Sequence, residues 1–452
     1  MEADFAQFEH LTDVLGSLQM IKRYSLISLF FRLVSDQDQS TTIKDLEAAL
    51  QRVAKAFPWL AGKVVYQGRD DTHTGTRRIV PHDGVIPLLH KNFEVSEELP
   101  SVDEIVKAGF PISVLDPEKV VPPIASTWAA DGFDKYAPVL VLQANFIRGG
   151  LILTICGNHS TMDMTGLGMI IAFISQACRQ EDFTPQQIET ENADRRHIIP
   201  LLDDSYQPGP ELDDSLIKPP PPGTPPLQIP PAKWANLNFT RPSSLAALKS
   251  AASNQSIAPY ISTDDAISAL LWQRISAART ALHPSHPTSS QLCRTISLRT
   301  HLGHPHYTGH LVDCTYTRLA NPHTLPLGAV AGHLRLQLRD DAKLLHHMRA
   351  YATALARMDD KTKIVNGAQL NPNVDVVVSS YANMKCCEAS WGGGLGKPLA
   401  ARRPDMAAWP SLLYIMPRDA NGGTSVAVCL SEEELGWLRG DEVLRGYASF
   451  VG

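Results

Sequence analysis

Hydrophobic residues recur along this chain at two different periods, and the switches between them mark its elements. Over residues 42–57, Ile43, Leu46, Leu50, Val53 and Ala54 fall at helical spacing. Pro58 then forbids another turn, so a helix is expected to end there. Residues 63–66 and 77–80 are short enough for strands, with turn-forming Gly and Asp between them. Residues 139–147 and 151–156 are two arms rich in Val, Ile and Leu around Arg148-Gly149-Gly150, which predicts a buried hairpin. The second arm runs into Gly157-Asn158-His159, so a histidine emerges at the end of a buried strand. Helical spacing returns over 165–179, through Leu167, Ile170, Ile171, Ile174 and Ala177.

Between Asp203 and Lys233 the pattern breaks. Pro219–Pro222, Pro225-Pro226 and Pro230-Pro231 form a stiff stretch that suits a crossover between domains. An N-terminal domain of residues 1–205, a linker of 206–235 and a C-terminal domain of 236–452 are therefore expected. The second half opens with an extended segment at 236–239. Thr263 is expected to cap a helix through Leu271-Trp272, with Asp264 and Asp265 favouring its dipole. Residues 374–380 and 411–416 read as strands, and Ser431 with Glu434 forms a capping box before a last helix. Strands and helices mixed in both halves give the α/β class.

The 452 residues are too many for one core and fit two or three domains. A formal charge of -6 with no concentration of cations argues against nucleic acid or a membrane surface as partner. The acidic start, Met1-Glu2-Ala3-Asp4-Phe5, lacks the order of a signal peptide, and the apolar runs are too short to span a bilayer. Seven scattered cysteines suggest reduced thiols rather than a disulfide framework. These features together predict a cytoplasmic enzyme.

The residues with most chemistry are His159-Ser160-Thr161-Met162-Asp163. A neutral imidazole at a strand end, beside a glycine, suits removal of a proton from an alcohol near neutral pH. A carboxylate four residues on either fixes the imidazole or braces the loop through a cation. An HxxxD string alone arises often by chance. His301, His304, His306 and His310 suggest a metal at first sight, but Gly303 and Pro305 break any helix and no ligand spacing completes the set. A loop beside the acceptor is expected there, and no metal.

With its surroundings, the HxxxD string resembles the HxxxD, or BAHD-type, acyltransferases, and most closely the fungal trichothecene 3-O-acetyltransferases. The resembling stretches include Phe57-Pro58-Trp59-Leu60-Ala61-Gly62, Asn145 to Thr154, His159 to Gly166, Ser262 to Ala266, Gly394 to Pro398 and Tyr447 to Gly452. The resemblance implies two chloramphenicol-acetyltransferase-like domains with an active-site channel between them. It implies transfer from acyl-CoA, acetyl-CoA by default, to a hydroxyl of a small secondary metabolite such as a terpenoid. His159 would be the general base, with no acyl-enzyme and no permanent cofactor, and the protein would be a monomer. Asp163 would brace the loop through Arg299.

The family's second signature, DFGWG or DFGLG, is here Ser390-Trp391-Gly392-Gly393-Gly394, without the aspartate. Two other readings therefore stand beside acyl transfer: a non-acyl reaction such as cyclisation or elimination on the same fold, or a non-catalytic binding protein. For CoA, the glycine loop with Gly394, the strand end at Ser379 and Ser380, and the cations Lys397, Arg402 and Arg403 are the expected contacts. Three consecutive glycines predict a loop poorly fixed without ligand.

Overall fold

The computed structural model describes residues 6–33, 39–126, 137–220, 222–223, 225–285 and 287–452. Its first helix, Gln39–Ala56, buries Leu46, Leu50 and Val53, the stripe that marked it in the sequence. Lys63–Gln67 and Thr76–Val80 pair with each other as a small antiparallel sheet. The hairpin is present as Leu140–Ile147 and Gly150–Asn158, with Gly149 at φ +72 in the turn.

Both hairpin arms lie inside a five-stranded sheet. Its order is Ala400–Arg402, Tyr24–Arg32, Gly150–Asn158, Leu140–Ile147 and Leu88–Asn92. Every residue of both arms is buried, which is why they read as continuous apolar runs instead of alternating. The helix Met164–Cys178 follows directly, and its buried Leu167, Ile170, Ile171 and Ile174 belong to the same core as the sheet.

A seven-stranded sheet gathers the second half. Its order is Ser449–Phe450, Ala232–Phe239, Thr424–Ser431, Leu412–Ile415, Val376–Ser380, Ser289–Ser297 and Val312–Ala320. Trp272 and Ile275 of the helix Thr263–Leu282 share a core with Val376 and Val378 of this sheet. The cap of that helix is Ser262, one residue before the expected Thr263. Ser262 Oγ accepts from the Asp265 N–H at 3.1 Å, and the Asp265 carboxylate accepts from the Ser262 N–H at 2.8 Å. The last helix, Glu432–Gly440, has the expected box between Ser431 and Glu434.

The second half is not confined to the second sheet. Ala400–Arg402 crosses back to pair antiparallel with Tyr24–Arg32 at the edge of the first. The strand Ala232–Phe239 also begins inside the proline-rich crossover. That crossover is pinned where Leu216 bridges Ile364 and Ile217 N–H donates to Lys363 O at 2.9 Å. All seven cysteines are buried and free. Among the described residues, no helix is long and apolar enough to cross a membrane.

Candidate active site

His159 directly follows the central strand Gly150–Asn158, and its backbone N–H donates to Arg23 O at 2.9 Å. That bond ties the turn to the start of the neighbouring strand. His159 Nδ1 lies 3.0 Å from Met162 O. A carbonyl can only accept, so Nδ1 carries the proton and Nε2 keeps its lone pair. This is the tautomer that proton abstraction requires. Burial, together with His310 and Arg23, pushes the imidazole pKa down to about 3, against the pull of Met162 and Asp163. The ring therefore rests neutral at physiological pH.

Asp163 borders the same cavity as His159, but its carboxylate is engaged by Arg299. Its two carboxylate oxygens meet Arg299 in a bidentate pair, Nη2 to Oδ1 at 2.8 Å and Nη1 to Oδ2 at 2.9 Å. Oδ1 also accepts from Gly166 N–H at 2.9 Å, capping the helix Met164–Cys178, and Oδ2 accepts from Leu311 N–H at 2.9 Å. Burial alone would raise this carboxyl's pKa; Arg299 and His310 outweigh it and hold Asp163 below the usual range. Arg299 spends its remaining donors on Tyr307 O at 2.7 Å, Gly309 O at 2.8 Å and Ser297 Oγ at 3.2 Å. One buried ion pair thus joins the HxxxD turn to the 297–311 segment of the other half. Gly166 allows the close approach, because a Cβ there would sit 1.9 Å from Thr308 O.

The joined segment brings His310 against His159, with ring centroids 5.2 Å apart and planes tilted by 35°. The buried His310 and the exposed His301 line the same cavity as His159, whereas His304 and His306 lie outside it. Among the described residues, no group of three or more His, Cys, Asp or Glu side chains is arranged to hold a metal.

The cavity has a volume of about 1330 Å³ and is walled by both sheets. From the first come Arg23, His159 and the start of the following helix. From the second come Thr295, Ser297, Ser379, Ser380 and Tyr414. Ser379 Oγ lies 3.0 Å from Thr295 Oγ1 at this wall. The space is large enough for two substrates that meet at one histidine.

Several expected CoA contacts lie elsewhere. Arg402 is 1% exposed and forms a bidentate pair with Asp419, at 2.6 and 2.9 Å. It is built into the edge strand of the first sheet and has no reach to a phosphate. Arg403 is buried with its guanidinium 4.5 Å from the Tyr414 ring centroid, behind the cavity wall. Gly394 and Lys397 are exposed and are not among the residues that line the cavity. The glycine loop is also better anchored than its composition predicts. Trp391 is buried, its backbone N–H donates to Gly396 O at 2.7 Å, and Arg179 Nη1 donates to Ser390 O at 2.8 Å. A Cβ on Gly392 would stand 1.9 Å from Cys178 O, so this loop packs on the end of the helix Met164–Cys178.

Arg294 and Arg335 line the cavity paired with Asp264 and Asp265, whereas, among the described residues, three exposed cations also line it: Lys249, Lys385 and Arg418. No pattern in the sequence singled them out, because each is an ordinary surface cation until folding places it at the rim. Arg23 was missed for the same reason.

A family model described as trichothecene 3-O-acetyltransferase-like N-terminal domain matches residues 23–178, and one described as Transferase family matches residues 112–442. The trichothecene 3-O-acetyltransferase TRI101 of Fusarium sporotrichioides is 37% identical, with 98% of each chain covered. The O-acetyltransferase dmxR13 of a Cryptosporiopsis species is 38% identical, with 99% of each covered. The crystal structure of Fusarium graminearum TRI101 with ethyl coenzyme A superposes at a TM-score of 0.90 and 33% identity, covering 98% of this chain and 99% of that one. Vinorine synthase, at 17% identity and a TM-score of 0.65, shares the fold. By sequence and by architecture, the chain belongs to the Transferase family of HxxxD, BAHD-type acyltransferases.

Proposed function

We propose that the chain transfers an acyl group, acetyl by default, from acyl-CoA to a hydroxyl of a small secondary metabolite, with His159 as general base. The enzyme class follows from the family: the chain is an acyl-CoA O-acyltransferase. Support for the co-substrate comes from the relatives, whose structures hold coenzyme A with T-2 in one case and ethyl coenzyme A in another. A compact oxygenated terpenoid or polyketide alcohol is the acceptor class that likeness favours. The acceptor oxygen gives its proton to His159 Nε2 and attacks the thioester carbonyl. The tetrahedral intermediate then expels CoA thiolate, which takes the proton back from the imidazolium. Asp163 and Arg299 hold the turn and the facing segment together; they touch neither reacting atom in this scheme.

The observation that carries the reading is the tautomer of His159, with Nδ1 spent on Met162 O and Nε2 left free, at a cavity shared by both sheets. Lys249, Lys385 and Arg418 are the cations we assign to the CoA phosphates, in place of Lys397, Arg402 and Arg403. Ser379 and Ser380 remain candidates for the donor side, since they line the cavity. All of these groups come from one chain, so a monomer suffices, and we place the enzyme in the cytoplasm. The test is incubation of purified protein with acetyl-CoA and a panel of terpenoid and polyketide alcohols. Free thiol release matched by an acetylated product supports the reading. Thiol release without acylated product, or product formed without acetyl-CoA, overturns it.

A further inference from the structure

His310 is held in an unusual way for a buried histidine. Its backbone N–H donates to Asp13 Oδ2 at 2.6 Å, and the same oxygen accepts from Tyr307 Oη at 2.6 Å. The side chain is 4% exposed, yet Nδ1 is buried with no hydrogen-bond partner, and no bond to Nε2 fixes the ring. The fold therefore uses the main chain of this residue and neither nitrogen of its imidazole. Packing alone would be served as well by a leucine or phenylalanine, because an unpaired buried polar atom costs stability.

The tautomer follows from the same facts. An unpaired lone pair at the enclosed Nδ1 is tolerated better than an unpaired N–H, so Nδ1 is bare and Nε2 carries the hydrogen. With Nδ1 shut away, the edge of the ring that lines the cavity is the Nε2 edge. The ring stays neutral: burial and Arg299 push its pKa below the ordinary histidine value, against the pull of Asp163 and Asp13. His159 and Arg23, which also line this wall, bring no negative charge that would favour a cation here. The two adjacent imidazoles are complementary. His159 presents a lone pair and His310 presents an N–H, with centroids 5.2 Å apart.

We propose that His310 Nε2–H is an oxyanion donor of the reaction centre. This rests on the reading of His159 as base. As the acceptor oxygen bonds to the acyl carbon and His159 takes the proton, the carbonyl electron pair moves onto oxygen. That oxygen shares its carbon with the attacking atom and lies on the cavity side of the two adjacent ring edges, where His310 donates a hydrogen bond to it. On collapse the pair returns, the C–S bond breaks, and the thiolate takes the proton from His159. His310 keeps its own proton throughout.

The test uses the full chain with acetyl-CoA and ethanol, an acceptor with no second oxygen that His310 could bind instead. His310→Leu is expected to lower kcat by about 10²-fold or more, the usual effect of removing one oxyanion donor. KM for acetyl-CoA and the melting temperature should stay near wild type, and His310→Gln should recover part of kcat through its amide N–H. A loss expressed only in KM, or a His310→Leu rate equal to wild type, overturns the proposal. A second measurement needs no variant: ¹⁵N chemical shifts of the wild-type imidazoles should show hydrogen on Nε2 of His310 and on Nδ1 of His159. Hydrogen on Nδ1 of His310 overturns it. His159→Ala measured alongside separates the two claims. Full turnover in that variant removes the base assignment, whereas the His310 kcat and tautomer report on the oxyanion donor alone.

Discussion

The two signature segments of this chain have had opposite fates. The His159–Asp163 turn keeps both of its motif residues, and every lone pair the structure spends on Asp163 goes to Arg299, Gly166 or Leu311. The 390–397 loop has Ser390 in place of the signature aspartate and is held by main-chain bonds and by Trp391, at the C-terminal end of the helix Met164–Cys178. The first segment borders the cavity and the second does not. Asp163 joins two halves of the chain beside the cavity through a charge. The glycine loop is held without one, by its backbone and a buried indole.

That contrast is broken most forcefully at the ion pair. Asp163→Asn leaves Arg299 buried without its countercharge, which costs about 3–5 kcal/mol. The melting temperature and turnover should fall together, as read by thermal denaturation and thiol release. Turnover lost at unchanged stability would give Asp163 a chemical role and end its description as a brace.

A smaller effect is expected at the rim. Lys249→Ala and Arg418→Ala should each raise KM for acetyl-CoA several-fold with kcat nearly intact, as expected for loss of uniform binding. Lys397→Ala should leave that KM unchanged. If Lys397→Ala raises it and the other two do not, the donor lies against the glycine loop after all.

Behind the site, Glu191 is buried against Thr308, and burial raises its carboxyl pKa to about 7, with Thr308 and Arg195 opposing. A carboxyl whose folded pKa exceeds its unfolded value of 4.5 favours folding at low pH. That contribution fades as pH rises from 4.5 through about 7. Glu191→Gln should flatten this part of the curve of melting temperature against pH. An unchanged slope would place the titration elsewhere. The smallest effect belongs to the lost signature: Ser390→Asp should change neither KM nor kcat appreciably, since residue 390 reaches the helix end through its carbonyl. A clear gain in turnover would show the missing aspartate to be functional.

Much of this was legible in the sequence for a physical reason. The hairpin arms and the helix Met164–Cys178 are buried along their length, so their apolar periods report structure directly. His159 could be placed at a strand end, and the resemblance supplied the partnership of Asp163 with Arg299. The misses share a cause. Arg402 looked like a free cation, but Asp419, its partner, is brought to it by folding of the second half. His310 looked like part of a histidine-rich loop; only the ion pair to Asp163 shows why that loop reaches His159. Lys249, Lys385 and Arg418 lie far apart in sequence and share nothing but the cavity.

The central claim is that His159 Nε2 takes the acceptor proton. Its most direct test is turnover of His159→Ala with acetyl-CoA and an accepted alcohol, together with a thermal melt. Turnover lowered by about 10² to 10⁴-fold at unchanged melting temperature is the predicted result. Near-normal turnover in a folded His159→Ala enzyme would contradict it.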